Sequence, residues 1–125
     1  MARILVIDDD ADVRAILEQT LKSAGHEVVL AADGQEGVKQ QRATPANVVI
    51  TDLFMPNQEG LETISELCKE FPGVAIVAMT GKPAAGTMLS IALRLGAVEI
   101  LQKPFFPDQL LNSVEKALQS VRRAA

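Results

Sequence analysis

The chain has few of the residues on which several functional classes depend. Its 125 residues include one cysteine, one histidine, four phenylalanines and neither tryptophan nor tyrosine. A single cysteine excludes an intramolecular disulfide framework and a Cys-x-x-Cys metal site, and it fits a reducing, cytoplasmic compartment. The scarcity of aromatics disfavours a base-stacking platform. Arg122-Arg123 is the only adjacent basic pair, so we expect no direct nucleic-acid binding.

Long apolar segments are also missing. No apolar stretch approaches the about 18 residues of a membrane span, and the chain does not open with a charged-then-apolar leader. We therefore expect neither membrane insertion nor export. With 48% apolar residues, 22% charged residues and a net charge of −4, the composition is that of a globular protein. The length predicts one domain, over residues 1–123, with no effector domain in this chain.

Short apolar segments alternate with segments of helical periodicity along the chain. Five such pairs predict an α/β fold, a doubly wound five-stranded parallel sheet with helices on both faces. In the second helical segment, Gln41 stands where a larger apolar residue would pack better. The apolar segments, read as strands, are Ile4–Ile7, Val28–Leu30, Val48–Thr51, Val74–Ala78 and Val98–Leu101.

Residues suited to phosphate or metal chemistry follow four of the five apolar segments. Asp8-Asp9 follows the first, Asp52 the third, Thr80 the fourth and Lys103 the fifth. The carboxyl ends of parallel strands form the binding crevice of an open sheet. We therefore expect these side chains to meet at one edge.

These residue types favour phosphoryl transfer at a cation site. Three carboxylates a few ångströms apart repel one another, and a bound cation relieves that repulsion. Oxygen ligands without histidine or cysteine favour Mg²⁺, with Mn²⁺ as a substitute, over zinc. A lysine and a hydroxyl beside them would contact a phosphoryl group transferred to an aspartate, which becomes an aspartyl phosphate.

The ordered set of motifs resembles the receiver domain of two-component response regulators. The resemblance covers nearly the whole chain and implies a flavodoxin-like strand order 2-1-3-4-5. It implies that Asp52 is the phosphoacceptor and that Asp8 and Asp9 are the acidic metal pair. The motifs that carry it are Ile4–Asp10, Asp52–Pro56 followed by Gly60, Thr80-Gly81, and Gly96-Ala97 leading to Lys103–Phe105.

The resemblance also implies ligands and partners. Asp9, Asp52 and the backbone carbonyl of Phe54 would coordinate Mg²⁺ directly, while Thr80 and Lys103 would contact the phosphoryl group. The donor would be a phosphohistidine on a histidine kinase or histidine phosphotransfer protein. Output to a downstream protein target would leave through helix 4, strand 5 and helix 5. Such a domain modifies only its own aspartate, so we expect no enzyme with a separate substrate.

Three positions bear on how the signal is relayed and how long it lasts. Receivers usually carry tyrosine or phenylalanine three residues before the lysine, and here that residue is Ile100. In the family this aromatic moves with the threonine, so we predict an altered or weakly coupled switch. Phe54 is bulky enough to shield an aspartyl phosphate from water, and Lys82 could reach its oxygens. These two residues predict a long-lived phosphoryl state.

Other interpretations remain open at this point. A phosphatase with Asp52 as nucleophile would usually carry Asp-x-Asp after the first strand, whereas the acids here are adjacent. A phosphorylation-independent interaction module and the excised receiver of a longer hybrid protein are further alternatives.

Several conspicuous residues are expected to be structural. Asp10 or Asp12 should cap the first helix, and Arg14 should be solvated or ion-paired. His26 has no expected partner and no expected catalytic role, and Cys68 belongs to the apolar face of the third helix.

Overall fold

The computed structural model describes residues 2–53, 60–81 and 86–124, in which strands and helices alternate as the sequence predicts. The strands are β1 (Arg3–Ile7), β2 (Glu27–Ala31), β3 (Val48–Asp52), β4 (Ala75–Thr80) and β5 (Ala97–Gln102). The helices are α1 (Ala11–Ser23), α2 (Gly34–Ala43), α3 (Gly60–Glu70), α4 (Gly86–Leu95) and α5 (Pro107–Ala124).

All five strands are parallel and lie in the order β2-β1-β3-β4-β5, which confirms the predicted fold. At the ends of the central strands, Ile7 of β1 lies beside Thr51 of β3. Asp52 of β3 in turn lies beside Met79 of β4. The winding reverses between β1 and β3, and this is where an open α/β sheet carries its binding crevice.

The sheet is buried on both faces, because successive side chains of a strand point to opposite sides. On one face, Ile4 and Val6 pack in a core with α1 and α5; on the other, Leu5 and Ile7 pack with α2, α3 and α4. Burial on both sides explains why the central strands are apolar throughout. In the described part of the chain, no helix combines the length and apolar character needed to cross a membrane.

The helix ends follow local sequence signals. Asp10 caps α1, and its side chain accepts hydrogen bonds from the backbone N–H groups of Asp12 and Val13. Of the two predicted capping residues, Asp10 is therefore the cap, and Asp12 lies in the first turn. Gly25 and Gly96 follow α1 and α4 with φ angles of 91° and 129°, a left-handed conformation that favours glycine.

Gln41 differs from the expectation that an apolar residue would serve better there. Its side chain is buried, and its amide nitrogen donates to the carbonyl of Ala46 at 3.1 Å. The amide oxygen of Gln41 accepts from the backbone N–H of Ala46 at 2.9 Å. A leucine would leave both main-chain groups of Ala46 without these bonds, so glutamine satisfies the turn that leads into β3.

Candidate functional site

Polar side chains from four strand ends meet at the carboxyl edge of the sheet. We call the group formed by Asp8, Asp9, Asp52, Thr80 and Lys103 the acidic rim. One carboxylate oxygen from each of the three aspartates lies within 4.8 Å of the other two. Asp8 and Asp52 are buried, while Asp9 is exposed. The three carboxylates thus lie close together, as their positions after the strands predict.

Asp8 is fixed by four hydrogen bonds. Its backbone N–H donates to the carbonyl of Ala31 on β2 at 3.1 Å. Its Oδ1 accepts from the N–H of Asp10 at 2.9 Å, and its Oδ2 accepts from Nζ of Lys103 at 2.7 Å. Its carbonyl oxygen accepts from Nη1 of Arg14 at 2.6 Å. A carboxylate with no solvent exposure is tolerable in this position because both of its oxygens are hydrogen-bonded.

Lys103 joins two of the carboxylates. Its Nζ also donates to Oδ2 of Asp52 at 3.0 Å, so one ammonium bridges Asp8 and Asp52. Burial by itself would lower the pKa of this lysine, but the hydrogen bonds and the attraction to both carboxylates raise it above the ordinary value. The backbone N–H of Lys103 donates to the carbonyl of Thr80 at 2.7 Å, which ties the residue to the end of β4. Lysine is therefore charged at neutral pH in this site.

The acidic rim fits a hard divalent cation. Three carboxylates converge in it, and the Lys103 ammonium contacts two of them. The donor atoms are all oxygen, which is the set that Mg²⁺ prefers. Asp9 is the solvent-facing member, and a cation entering from water would meet it first. The Phe54 carbonyl expected as a further ligand, and the expected modulator Lys82, lie outside the described residues.

Thr80 and Ile100, the two residues expected to act as a switch, lie near each other on adjacent strands. Thr80 ends β4 and is 1% exposed, and Ile100 of β5 lies beside Ala78. Alternation along β4 places Thr80 on the same face as Ala78. Ile100 is half-buried against the core under α2, α3 and α4. Ile100 therefore places an aliphatic side chain near Thr80, where the family usually has an aromatic one.

A close backbone approach positions Asp52. A Cβ on Gly60, the first residue of α3, would lie 2.5 Å from the Asp52 carbonyl oxygen and 2.4 Å from Cα of Leu53. No real Cβ is accommodated that close to backbone, so the start of α3 can rest on the end of β3 only at a glycine. The sequence showed this glycine as part of a motif, but not the contact that requires it.

Two reactive residue types lie outside the rim. Cys68 is half-buried beside Gly96, and burial raises the pKa of its thiol, which agrees with the expected packing role. His26 lies at the opposite edge of the sheet. It has a partner that the sequence did not predict, since its Nδ1 accepts from the backbone N–H of Ala2 at 3.2 Å.

Arg14 is the residue of the site that sequence reasoning missed. The expectation was a solvated or ion-paired side chain, whereas the guanidinium donates to the main chain of Asp8. A carbonyl partner leaves no trace in the pattern of residue types. The one available signal was the position of Arg14 in the first helix turn after the acidic residues.

A model of the family described as "Response regulator receiver domain" matches residues 4–115. Among curated proteins, the chain is 37% identical over 98% of its length to a probable transcriptional regulator ycf27 of Porphyridium aerugineum, of which it covers 50%. It is 36% identical over 95% of its length to the DNA-binding transcriptional regulator NtrC of Azospirillum brasilense, of which it covers 24%. The chain therefore spans half or less of the length of these relatives.

Solved structures of similar size share the fold. A CheY-like response regulator receiver domain protein from Methanospirillum hungatei JF-1 superposes with a TM-score of 0.94 at 29% identity, covering 100% of this chain and 99% of that one. The chemotaxis protein CheY4 of Vibrio cholerae superposes with a TM-score of 0.89 at 30% identity, covering 94% and 99%. The geometry and the sequence thus point to the same family.

Proposed function

We infer that Asp52 is the phosphoacceptor of this chain, which belongs to the family of response regulator receiver domains. Domains of this family are the phosphoacceptor switches of two-component systems. The observation that carries the assignment is the bridging of Asp8 and Asp52 by Lys103 within the acidic rim. Asp52 ends the central strand β3, shares the acidic rim with the carboxylates of Asp8 and Asp9, and accepts a hydrogen bond from Nζ of Lys103 at 3.0 Å.

The proposed transfer uses the geometry of the rim directly. A carboxylate oxygen of Asp52 bonds to the phosphorus of a phosphohistidine as the P–N bond breaks, and the imidazole leaves with the electron pair and takes up a proton. The Lys103 ammonium, already 3.0 Å from Asp52, offsets charge on the transferred group. Thr80 ends the neighbouring strand and supplies a hydroxyl.

The proposed cofactor is Mg²⁺, held by Asp8, Asp9 and Asp52. When bound, it would neutralise charge on the oxygens of the phosphoryl group. The three carboxylates that hold it belong to two neighbouring strand ends, so the cation and the acceptor share one site. Mn²⁺, which accepts the same oxygen ligands, is the proposed substitute.

Partners follow from the family in general and from this chain in detail. Response regulators receive their phosphoryl group from a histidine kinase or a histidine phosphotransfer protein and act on downstream targets. For this chain we propose output through α4, β5 and α5. Apolar side chains are exposed on two of these elements, with Ile91, Leu93 and Val98 at 37%, 50% and 37%.

The central experiment is mass spectrometry after incubation with Mg²⁺ and a small-molecule phosphodonor. We expect one added phosphoryl group in the natural chain and in Asp12→Asn, an exposed aspartate of α1. None should appear in Asp52→Asn or without Mg²⁺. An adduct of the same mass in Asp52→Asn would overturn the assignment. Continuous hydrolysis of a soluble phosphate ester would instead indicate a phosphatase, contrary to our expectation that the chain modifies only its own aspartate.

The lifetime and the strength of the switch have tests of their own. The prediction of a long-lived phosphoryl group requires that its half-life shorten in Phe54→Ala and in Lys82→Ala.

The prediction of weak coupling at Ile100 requires that, on phosphorylation, the amide signals of α4 and β5 shift less in the natural chain than in Ile100→Tyr. Equal shifts in the two proteins would remove Ile100 as the cause.

A further inference from the structure

The Arg14 side chain reaches back from the first turn of α1 to the end of β1. Its Nη1 lies 2.6 Å from the carbonyl oxygen of Asp8, the residue that directly follows the strand. The side chain is half-buried, and the carbonyl belongs to a residue with no exposure. A short bond from a charged donor to a buried carbonyl is among the stronger hydrogen bonds in proteins.

The bonded carbonyl belongs to the peptide that carries Asp9. The plane of a peptide group is rigid, so its orientation determines where the next Cα and its side chain lie. The carboxylate of Asp9 is exposed, and in residues 2–53, 60–81 and 86–124 no hydrogen bond or ion pair holds it. Its position in the acidic rim therefore depends on the backbone, and Arg14 holds that backbone.

The two ends of this link are themselves fixed. The backbone N–H of Arg14 donates to the carbonyl of Asp10 at 3.0 Å, and the Asp10 side chain caps α1. The N–H of Asp10 donates to Oδ1 of Asp8 at 2.9 Å. Residues 8–14 thus form a closed unit in which a turn of helix and a loop constrain each other.

Charge adds to this geometric effect. The guanidinium of Arg14 places a positive charge at the base of a loop that carries three aspartates. Repulsion among the carboxylates of the acidic rim would otherwise favour opening of the loop. A neutral side chain could replace the hydrogen bond but not the charge.

We propose that Arg14 is a positioning residue of the cation site, which fixes the peptide after Asp8 and thereby presents the Asp9 carboxylate to Mg²⁺. This role rests on the proposed function only in requiring that the acidic rim bind the cation. Without Arg14 the loop of the cation-free protein would be less ordered. It would then lose conformational entropy when the cation binds, and this loss would lower the affinity for the cation.

The test compares Mg²⁺ affinity in variants that separate the hydrogen bond from the charge. Arg14→Met keeps length but has no donor and no charge, and Arg14→Lys keeps the charge with one nitrogen. Lys22→Met removes the same charge from the exposed far end of α1 and serves as the matched control. The dissociation constant is read from amide NMR shifts of Asp9 and Asp10 during titration with MgCl₂, with no phosphodonor present.

We expect the dissociation constant to rise roughly three- to tenfold in Arg14→Met, the range expected for loss of one hydrogen bond. Arg14→Lys should fall between this variant and the natural chain, and Lys22→Met should match the natural chain. The difference in dissociation constant between Arg14→Met and the natural chain should persist in about 1 M KCl. At this ionic strength the Debye length is about 3 Å, so long-range attraction is screened. The dispersed amide spectrum verifies folding, and Arg14→Lys decides the matter if Arg14→Met does not fold.

An affinity in Arg14→Met equal to that of the natural chain would overturn the positioning role and leave the proposed function intact. An equal loss in Lys22→Met would overturn it too, because the effect would then be one of net charge. A natural chain that is phosphorylated on Asp52 but shows no change at Asp9 with Mg²⁺ would also contradict it. Failure of the natural chain to be phosphorylated at all is a separate result, which counts against the proposed function.

Discussion

The two edges of the sheet use similar polar residues to opposite effect. At the amino edge, which we call the amino rim (Arg3, His26, Glu27, Gln41 and Asn47), each of these side chains has a hydrogen-bonding or ionic partner. The side chain of Arg3 pairs with Glu27, and the backbone N–H of Arg3 donates to Oδ1 of Asn47 at 2.9 Å. At the acidic rim one lysine contacts two buried carboxylates, and a third lies beside them. The paired groups of the amino rim anchor strand starts, whereas the acidic rim brings carboxylates of like charge together.

The difference has an energetic side. Buried like charges destabilise the fold unless a counter-charge compensates them, and removing one partner of a buried ion pair costs more than an exposed pair contributes. The acidic rim therefore depends on its few cationic contacts. At the amino rim the bonds of Arg3 and His26 are exposed or only partly buried and each contributes little, whereas the two bonds of Gln41 are buried. Substitutions at the two rims should differ in size accordingly.

Lys103→Met should give the largest effect, at the acidic rim. It leaves the carboxylates of Asp8 and Asp52 buried without their ammonium, so we expect the free energy of unfolding to fall by about 3 kcal/mol in the absence of divalent cations. Urea denaturation measures this, and added MgCl₂ should restore part of the loss because a cation that binds only the folded state stabilises it. Lys22→Met is the control. A loss of unfolding free energy below about 1 kcal/mol in Lys103→Met would show that the acidic rim does not depend on Lys103.

The same lysine determines how stability depends on alkaline pH. Because the folded state raises the pKa of Lys103 above its ordinary value of 10.5, its contribution is complete below that value and is lost as pH rises through the folded pKa. Unfolding curves of the natural chain and Lys103→Met should therefore converge above that range. Parallel curves there would contradict the raised pKa.

Gln41→Leu should give an intermediate effect at the amino rim. The leucine would leave the buried N–H and C=O of Ala46 without their side-chain partner, which costs about 1–3 kcal/mol. Gln35→Leu, on the exposed surface of the same helix, should change the urea midpoint little. If Gln41→Leu were as stable as the natural chain, the original expectation of an apolar residue would be correct.

His26→Gln should give the smallest change in stability. It tests how far His26 of the amino rim makes stability depend on pH. Burial and the positive amino terminus lower the pKa of His26, while Glu115 raises it more weakly. A lowered histidine pKa means that stability is complete above 6.5 and is lost as pH falls through the folded pKa. We expect thermal unfolding to show a loss well under about 1 kcal/mol between pH 7 and pH 5, since the ring is only partly buried. A loss of equal size in His26→Gln would exclude the histidine as its source.

The strands and the residues at their ends were predictable from sequence because apolar periodicity and polar punctuation are local. Asp8, Asp52, Thr80 and Lys103 each follow an apolar segment of the sequence, and the structure brings them to one rim. The strand order came from resemblance rather than from the pattern, since periodicity is silent about which strands are neighbours.

Contacts to main-chain atoms were not predictable in the same way. Arg14 and Gln41 both bond backbone groups, of Asp8 and Ala46. The close approach of Gly60 to Asp52 is likewise a backbone contact. Every residue carries the same carbonyl and N–H, so residue type does not mark which of them a side chain will reach. The path of the loop decides that.

By itself, the sequence determined the alternating fold, the acidic and basic residues of the site, and an aliphatic residue where the family usually has an aromatic. Side-chain chemistry and apolar periodicity are written in the residues, and no tertiary context is needed to see them. Only the tertiary structure decided that one ammonium bridges two carboxylates and that an arginine holds the loop of a third. These contacts depend on distances of about 3 Å between segments far apart in the chain or joined by a loop, and packing of the whole sheet and its helices fixes such distances.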